Sequence, residues 1–347
     1  GGSEKFRIDT DDSATFAGNV TIAGDLTVNG TSNVGGVTSD AQKNTLAGTN
    51  AGDSFTGTDA NNNTLIAYDA GTAITTGDDN TAVGYQAIKL NTTGSKNTSI
   101  GSLAGYTNTT SDNNTSVGYG ASFYNTGEWN VSVGSEALLG SSSVTSTGEE
   151  NVAIGAYAAR SLTTGDHNTA VGRSAGFNLT SGTNNTLIGW GAGTSSSPAL
   201  VSSANNTVCI GDNDVTSSHI KVDWTVSSDK RDKTDITPFN HGLSWINKLN
   251  PVTYRWDNRS NYEDGVPDGS KKQSQLCLGL LAQDELEVEK EHGFGDNSDN
   301  MIVTHINEQG NYGMQYSKLV PILINAVKEL SAKIETLETK VAALESS

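Results

Sequence analysis

The sequence predicts a mainly β chain: a trimeric fibre of short-strand β repeats, stacked as β-roll or β-prism-like coils, followed by an α+β domain that ends in a coiled coil. Three observations carry this. A short phrase, Asn-Thr-Ala-Val-Gly-Tyr-Gln-Ala at Asn80, returns at nearly constant spacing through the middle of the chain. With 39 Gly and only 34% hydrophobic residues in 347, the chain is too long for one domain and too lean for one large core. Its tail repeats apolar residues with the period of a helical seam.

Residues 1–50 read as a fibrous shaft. Gly recurs every six residues at Gly18, Gly24, Gly30 and Gly36, while Val20, Ile22, Leu26 and Val28 alternate between them as short strands joined by Gly turns.

Residues 51–216 form the repeat region. The phrase is anchored on Asn63, Asn80, Asn97, Asn114, Asn130, Asn151, Asn168 and Asn185, stepping by 17, 17, 17, 16, 21, 17 and 17 residues. Three positions after each Asn stands a β-branched residue, Ile66 to Ile188, and seven after it an Ala, Ala70 to Ala192. Small and β-branched residues at fixed places, with no period of 3.6, predict short strands packed on their copies in neighbouring coils. Gly stands three residues before most of these Asn, so Gly-x-x-Asn reads as the turn that closes each coil, both residue types tolerating φ > 0. The final copy, from Asn206, has one extra residue before its Ile-Gly pair and reads as a terminal cap. Two apolar positions per coil are too few for an isolated solenoid, which implies burial against other chains.

A net charge of −18 argues against nucleic acid and against insertion into or adhesion to an anionic membrane, since both repel the overall field. No apolar run reaches the length of a membrane helix. Cys209 and Cys277 make neither a disulfide framework nor a zinc spacing, and read as buried thiols; no metal or cofactor is expected. The start, Gly-Gly-Ser-Glu-Lys, has neither Met nor a hydrophobic signal, as expected of a fragment.

Residues 217–228 are a junction, and residues 229–347 a different texture. In the tail, 318–347, Val320, Val327, Ile334 and Val341 take the a positions of a heptad and Leu323, Leu330, Leu337 and Leu344 the d positions. β-branched a with Leu d favours two strands by itself; three are expected, because the repeats need burial against other chains and the family resemblance that follows implies a threefold fibre.

The order Ser228-Asp229-Lys-Arg231-Asp-Lys233, then Leu-Asn-Pro-Val-Thr-Tyr, Gly-Leu-Leu-Ala-Gln-Asp and the Tyr-Ser-Lys-Leu-Val-Pro tail helix resembles the intramolecular chaperone auto-processing domain at the C-terminus of phage tail fibres and tailspikes, first recognised in endosialidases. The resemblance covers 228–347; Asp232 and Asp284 depart from it. It implies a homotrimer whose C-terminal domain drives assembly and then cuts itself off between Ser228 and Asp229, with Ser228 as nucleophile, Lys233 as base and Arg231 in support. A Lys takes a hydroxyl proton only when desolvation lowers its pKa, so folding would switch the site on. The repeats, about residues 60–212, resemble the head repeats of trimeric adhesins.

The expected function is therefore a bacteriophage tail fibre or spike, assembled in the host cytoplasm, built into the virion beside other tail proteins and binding a cell-surface glycan or protein receptor. Two alternatives stand beside it. A polysaccharide-depolymerising tailspike needs two carboxylates about 5 to 10 Å apart over a groove, and the repeats place acids singly or at turns. A bacterial trimeric adhesin needs a membrane barrel, which the sequence does not contain. Tyr124 and Trp129, before the insertion at 138–149, are the receptor-binding candidates, since loops on a rigid scaffold are where binding usually sits.

Overall fold

The computed structural model describes residues 37–55, 59–307 and 310–346. The shaft expected from Gly18 to Gly36 lies outside them. The described chain is mostly β, as expected: a β-solenoid, two small two-stranded sheets and a long C-terminal helix.

The solenoid is one sheet. β1 (Val37–Ser39) runs antiparallel to β2 (Thr45–Ala47), and every later pairing is parallel, through β3 (Thr64–Ile66), β4 (Thr81–Val83), β5 (Thr98–Ile100), β6 (Thr115–Val117), β7 (Val131–Val133), β8 (Val152–Ile154), β9 (Thr169–Val171), β10 (Thr186–Ile188) and β11 (Val208–Ile210). Each coil supplies one three-residue strand; the rest is turns whose backbone groups bond coil to coil, as in Gly71 N to Ala87 O and Ala73 N to Lys89 O. The ladder starts at β2, ahead of the repeat boundary expected at residue 51.

Period-two geometry decides which side chains enter the coil. The middle strand residue points inward: Leu65, Ala82, Ser99, Ser116, Ser132, Ala153, Ala170, Leu187 and Cys209 are buried. So is the Ala seven after each Asn, and larger residues such as Ile74, Ile88, Leu138, Leu162 and Leu179 fill the remaining space. The β-branched residue three after the Asn points outward, and Ile66, Ile100, Ile154 and Ile188 stand exposed in one column.

The anchoring Asn form a second inner column. Each Oδ1 accepts the backbone N–H of the Asn one coil on, as Asn63 does from Asn80 at 2.9 Å and Asn151 from Asn168 at 2.9 Å. Each Nδ2 donates to a backbone carbonyl of the following turn, that of the Gly fourteen residues on for Asn63, Asn80, Asn151 and Asn168, as Asn151 does to Gly165 at 2.9 Å. A buried amide is costly unless both ends are satisfied, and stacking identical coils satisfies them all at once.

Those glycines have a different role from the one the sequence suggests. Their φ is not left-handed; a Cβ on Gly148 would lie 2.5 Å from the carbonyl oxygen of Gly165, so Gly is needed for close approach between coils. The left-handed residue is the one before each Asn: Asp79, Lys96, Asn113, Trp129, Glu150, His167 and Asn184 all have φ between 55° and 61°. At the end of the array Thr207, not Asn206, takes the ladder position, donating its N–H to Asn185 Oδ1 at 3.0 Å; Asn206 continues the left-handed column. The extra residue of the last copy is thus an insertion before the ladder, making that step 22, and Val201 from the insertion joins the core.

After the solenoid come α1 (Leu243–Ile246), the antiparallel pair β12 (Val252–Tyr254) and β13 (Cys277–Gly279), α2 (Ala282–Glu291), the antiparallel pair β14 (Thr304–Ile306) and β15 (Tyr312–Met314), and α3 (Leu319–Glu345). Trp245, Val288, Val303, Leu319 and Ile322 form their common core. The start of α3 is pinned to α1: Leu243 N donates to Glu329 Oε2 at 3.1 Å, and Asn325 Nδ2 to Phe239 O at 2.6 Å. Cys209 is buried as expected, Cys277 only half so.

Candidate active site

The chain passes Ser228 and enters a single 3-10 turn, Lys230–Asp232. Asp229 caps it, its carboxylate accepting the N–H of Arg231 at 2.9 Å, which is why an acid begins this turn. The guanidinium of Arg231 returns to the same carboxylate, Nη2 to Oδ2 at 2.7 Å and Nε to Oδ1 at 3.1 Å. Those hydrogen bonds hold the Asp229 carboxyl below its ordinary range.

The turn closes with Asp232 N on Asp229 O and Lys233 N on Lys230 O, both 3.3 Å. One turn of the chain therefore brings Lys233 back over Ser228, and Lys233 Nζ lies 2.6 Å from Ser228 Oγ. A hydroxyl and an amine in direct contact, with an Arg–Asp clamp fixing the turn between them, is an arrangement in which an amine could activate a hydroxyl. In the single chain Ser228, Arg231 and Lys233 are all exposed.

Residues 228–294 match the family described as chaperone of endosialidase. The match begins on Ser228 itself and ends before β14 and α3. No curated protein and no solved structure matches the chain. A chaperone-of-endosialidase region behind a β-solenoid is an architecture of the tail-fibre and endosialidase type, and it supports intramolecular chaperoning and autoproteolysis.

Within the matched region the structure brings together a pair of acids that the sequence reading did not single out. Glu285 and Glu289, one turn apart on α2, are both fully buried. Glu289 accepts from Val303 N, from Thr304 N at 2.9 Å and from Thr304 Oγ1 at 2.7 Å, tying α2 to β14. Glu285 accepts only the indole N–H of Trp245, at 2.8 Å, and its second oxygen is buried with no hydrogen-bond partner. Burial is the main cause that pushes its pKa up to about 7; the Trp245 hydrogen bond opposes this and the Glu289 carboxylate adds to it. The sequence shows two Glu four apart flanking Leu286 and Val288, but nothing in it joins them to Trp245, 40 residues away.

The receptor candidates separate. Tyr124 is half-buried and packs edge-on against Phe123, 4.5 Å between ring centroids, while Phe123 stacks on Tyr106 of the preceding coil at 4.8 Å. Trp129 is exposed, and it holds a left-handed φ of 59° in a column otherwise filled by polar residues. A bulky residue there carries backbone strain of about 1 to 3 kcal/mol.

Proposed function

We propose that the chain is part of a homotrimeric bacteriophage tail fibre or spike whose C-terminal domain drives folding and trimerisation and then releases itself by cleavage between Ser228 and Asp229. The observation that carries this reading is the 2.6 Å contact of Lys233 Nζ with Ser228 Oγ at the first residue of the family match. When neutral, Lys233 takes the proton of Ser228 as its oxygen adds to the carbonyl carbon of the Ser228–Asp229 bond; the C–N bond breaks as Lys233 passes that proton to the departing Asp229 nitrogen, and water then hydrolyses the ester, leaving a Ser228 carboxylate and restoring the hydroxyl. Arg231 holds the turn through Asp229.

Trimerisation is supported by α3, which has two apolar faces. Leu319, Ile322 and Ala326 are buried against the domain, whereas Val320, Leu323, Val327, Leu330, Ile334, Leu337 and Val341 run along the other side exposed to solvent. An apolar seam of heptad spacing is a surface for copies of itself. Three copies fit a fibre, although the residues at a and d by themselves favour two.

The repeats serve as a rigid rod that presents receptor-binding side chains to a host-surface glycan or protein, and Trp129 is the residue best placed for this. The fibre belongs in the virion, beside other tail proteins.

Intact-mass measurement of the purified chain tests the central claim. Wild type should yield two fragments meeting at Ser228–Asp229, and Ser228→Ala or Lys233→Ala a single full-length species. Full-length wild-type mass after prolonged native incubation would remove the self-cleavage.

A further inference from the structure

Between β11 and the Ser228 turn the sequence runs His219-Ile220-Lys221-Val222-Asp223-Trp224-Thr225-Val226. Apolar and polar residues alternate without a fault, the pattern of a strand with one face buried. In the single chain that strand does not exist. No backbone group of residues 216–228 bonds to any described residue, and Ile220, Val222, Trp224 and Val226 are 52%, 72%, 76% and 81% exposed. Four large apolar side chains at alternate positions of an unpaired segment, all of them exposed, are the half of an interface that is missing its partner.

We propose that residues 219–226 pair as β-strands with the same segment of the other copies in the trimer, closing Ile220, Val222, Trp224 and Val226 into a shared core immediately ahead of the scissile bond. This rests on the trimeric, self-cleaving reading above and assigns the surface that links its two parts.

The occupant is another copy of this chain for two reasons. The apolar strand face lies in series with two other unpartnered apolar surfaces, the outward Ile154, Ile188 and Ile210 column before it and the α3 stripe after it. Association of identical chains covers all three in one event, whereas a foreign partner would have to match each separately. The polar face is self-complementary as well: Lys221 and Asp223 stand two residues apart on it, so neighbouring copies place opposite charges on the diagonal.

The same alternation has a consequence for the cleavage site. Counting by twos from Ile220 through Val226 leads to Ser228, which therefore continues the apolar face. When the strands pair, the hydroxyl that is exposed in the single chain turns toward the shared core, and Lys233 Nζ, in contact with it, goes with it. Burial of the dyad then depends on the neighbours being in place, and cleavage reports assembly.

Three readouts on the full chain test this. In the uncleaved Ser228→Ala protein, light scattering gives the number of copies, and hydrogen exchange of residues 220–226 should be slowed about a hundredfold relative to unstructured chain, as strand amides that open only locally are. In the otherwise wild-type protein, Val222→Asp and Trp224→Asp should slow cleavage at least about tenfold by letting water reach the dyad, with Trp224→Phe restoring it. A trimer whose residues 220–226 exchange at the unstructured rate overturns this inference and leaves the proposed function standing, and so does wild-type cleavage in a Trp224→Asp trimer. A monomer overturns both. A trimer with protected strands but no cleavage supports the strand pairing and removes the self-cleavage alone.

Discussion

Replacing Glu285 by Gln should flatten the pH dependence of the C-terminal domain. Glu285 is fully buried on α2, with one oxygen on the Trp245 indole and the other without a partner. Burial raises its pKa from 4.5 to about 7, so the fold holds the neutral acid while the unfolded chain releases the proton at far lower pH. The stabilisation is thus fully present below about pH 4.5 and is lost as the pH rises through about 7. The two values differ by about 2.5, and at about 1.36 kcal/mol for each pH unit the domain loses about 3 kcal/mol across that window. Gln keeps the acceptor for Trp245 and has no proton to lose. The assay is the thermal midpoint of the Ser228→Ala protein, with and without Glu285→Gln, followed by Trp fluorescence between pH 5 and 8. The difference between the two should change by about 10 °C over that range, with the Gln protein gaining on its parent as pH rises. Curves that stay parallel would show that the buried acid does not titrate there, and the argument from its missing partner would fail.

Three other substitutions probe other parts of the chain. Asn151→Ala leaves Asn168 N and the Gly165 carbonyl without partners inside the solenoid, and should cost about 2 to 4 kcal/mol, read as a lowered unfolding midpoint by circular dichroism. Gly118→Ala places a Cβ 2.5 Å from the Gly134 carbonyl oxygen at a φ of 132°; it should destabilise at least as much as Asn151→Ala, and a neutral result would mean that the coils are not stacked so closely. Ile334→Asp puts a charge in the exposed α3 seam and should convert the proposed trimer to monomers in sedimentation, while the buried contacts of Leu319 and Ile322 keep the domain folded.

The solenoid was legible because the fixed step between Asn, the β-branched residue and Ala is imposed by identical coils stacking on one another. What the step did not reveal was direction. Asn-Thr-Ala-Val places four residues in order, but only the pleat says that Ala82 enters the coil and Val83 faces out. Gly-x-x-Asn misled in the same way: Gly tolerates a left-handed φ, yet here it answers the approach of the next coil's carbonyl, and Asp, Lys, Glu, His and Trp take the left-handed place before the Asn. The Asn206 to Thr207 slip was hidden because a local motif competes with a ladder position that only pairing defines. At the candidate site, the contact of Ser228 with Lys233 was within reach of one short motif, as a single turn spans them. Glu285 and Trp245 were not, being 40 residues apart in sequence and joined only by packing.

The stacked amide column also bears on how such a chain can change over generations. In each coil the Asn, the Ala, the close-approach Gly and the inward strand residue answer to the neighbouring coils, while the residue before the Asn and the one five after it face solvent. Those two positions hold Asp79, Lys96, Trp129 and His167 in one column and Tyr85, Tyr119, Arg173 and Trp190 in the other. Side chains of every character are carried on one unchanging backbone. Because every ladder contact is made with a near-identical copy, duplicating or deleting one whole coil keeps all the others in register, and the rod lengthens or shortens in increments of about 4.8 Å. Surface chemistry and length can therefore be varied independently of each other, and both independently of the core.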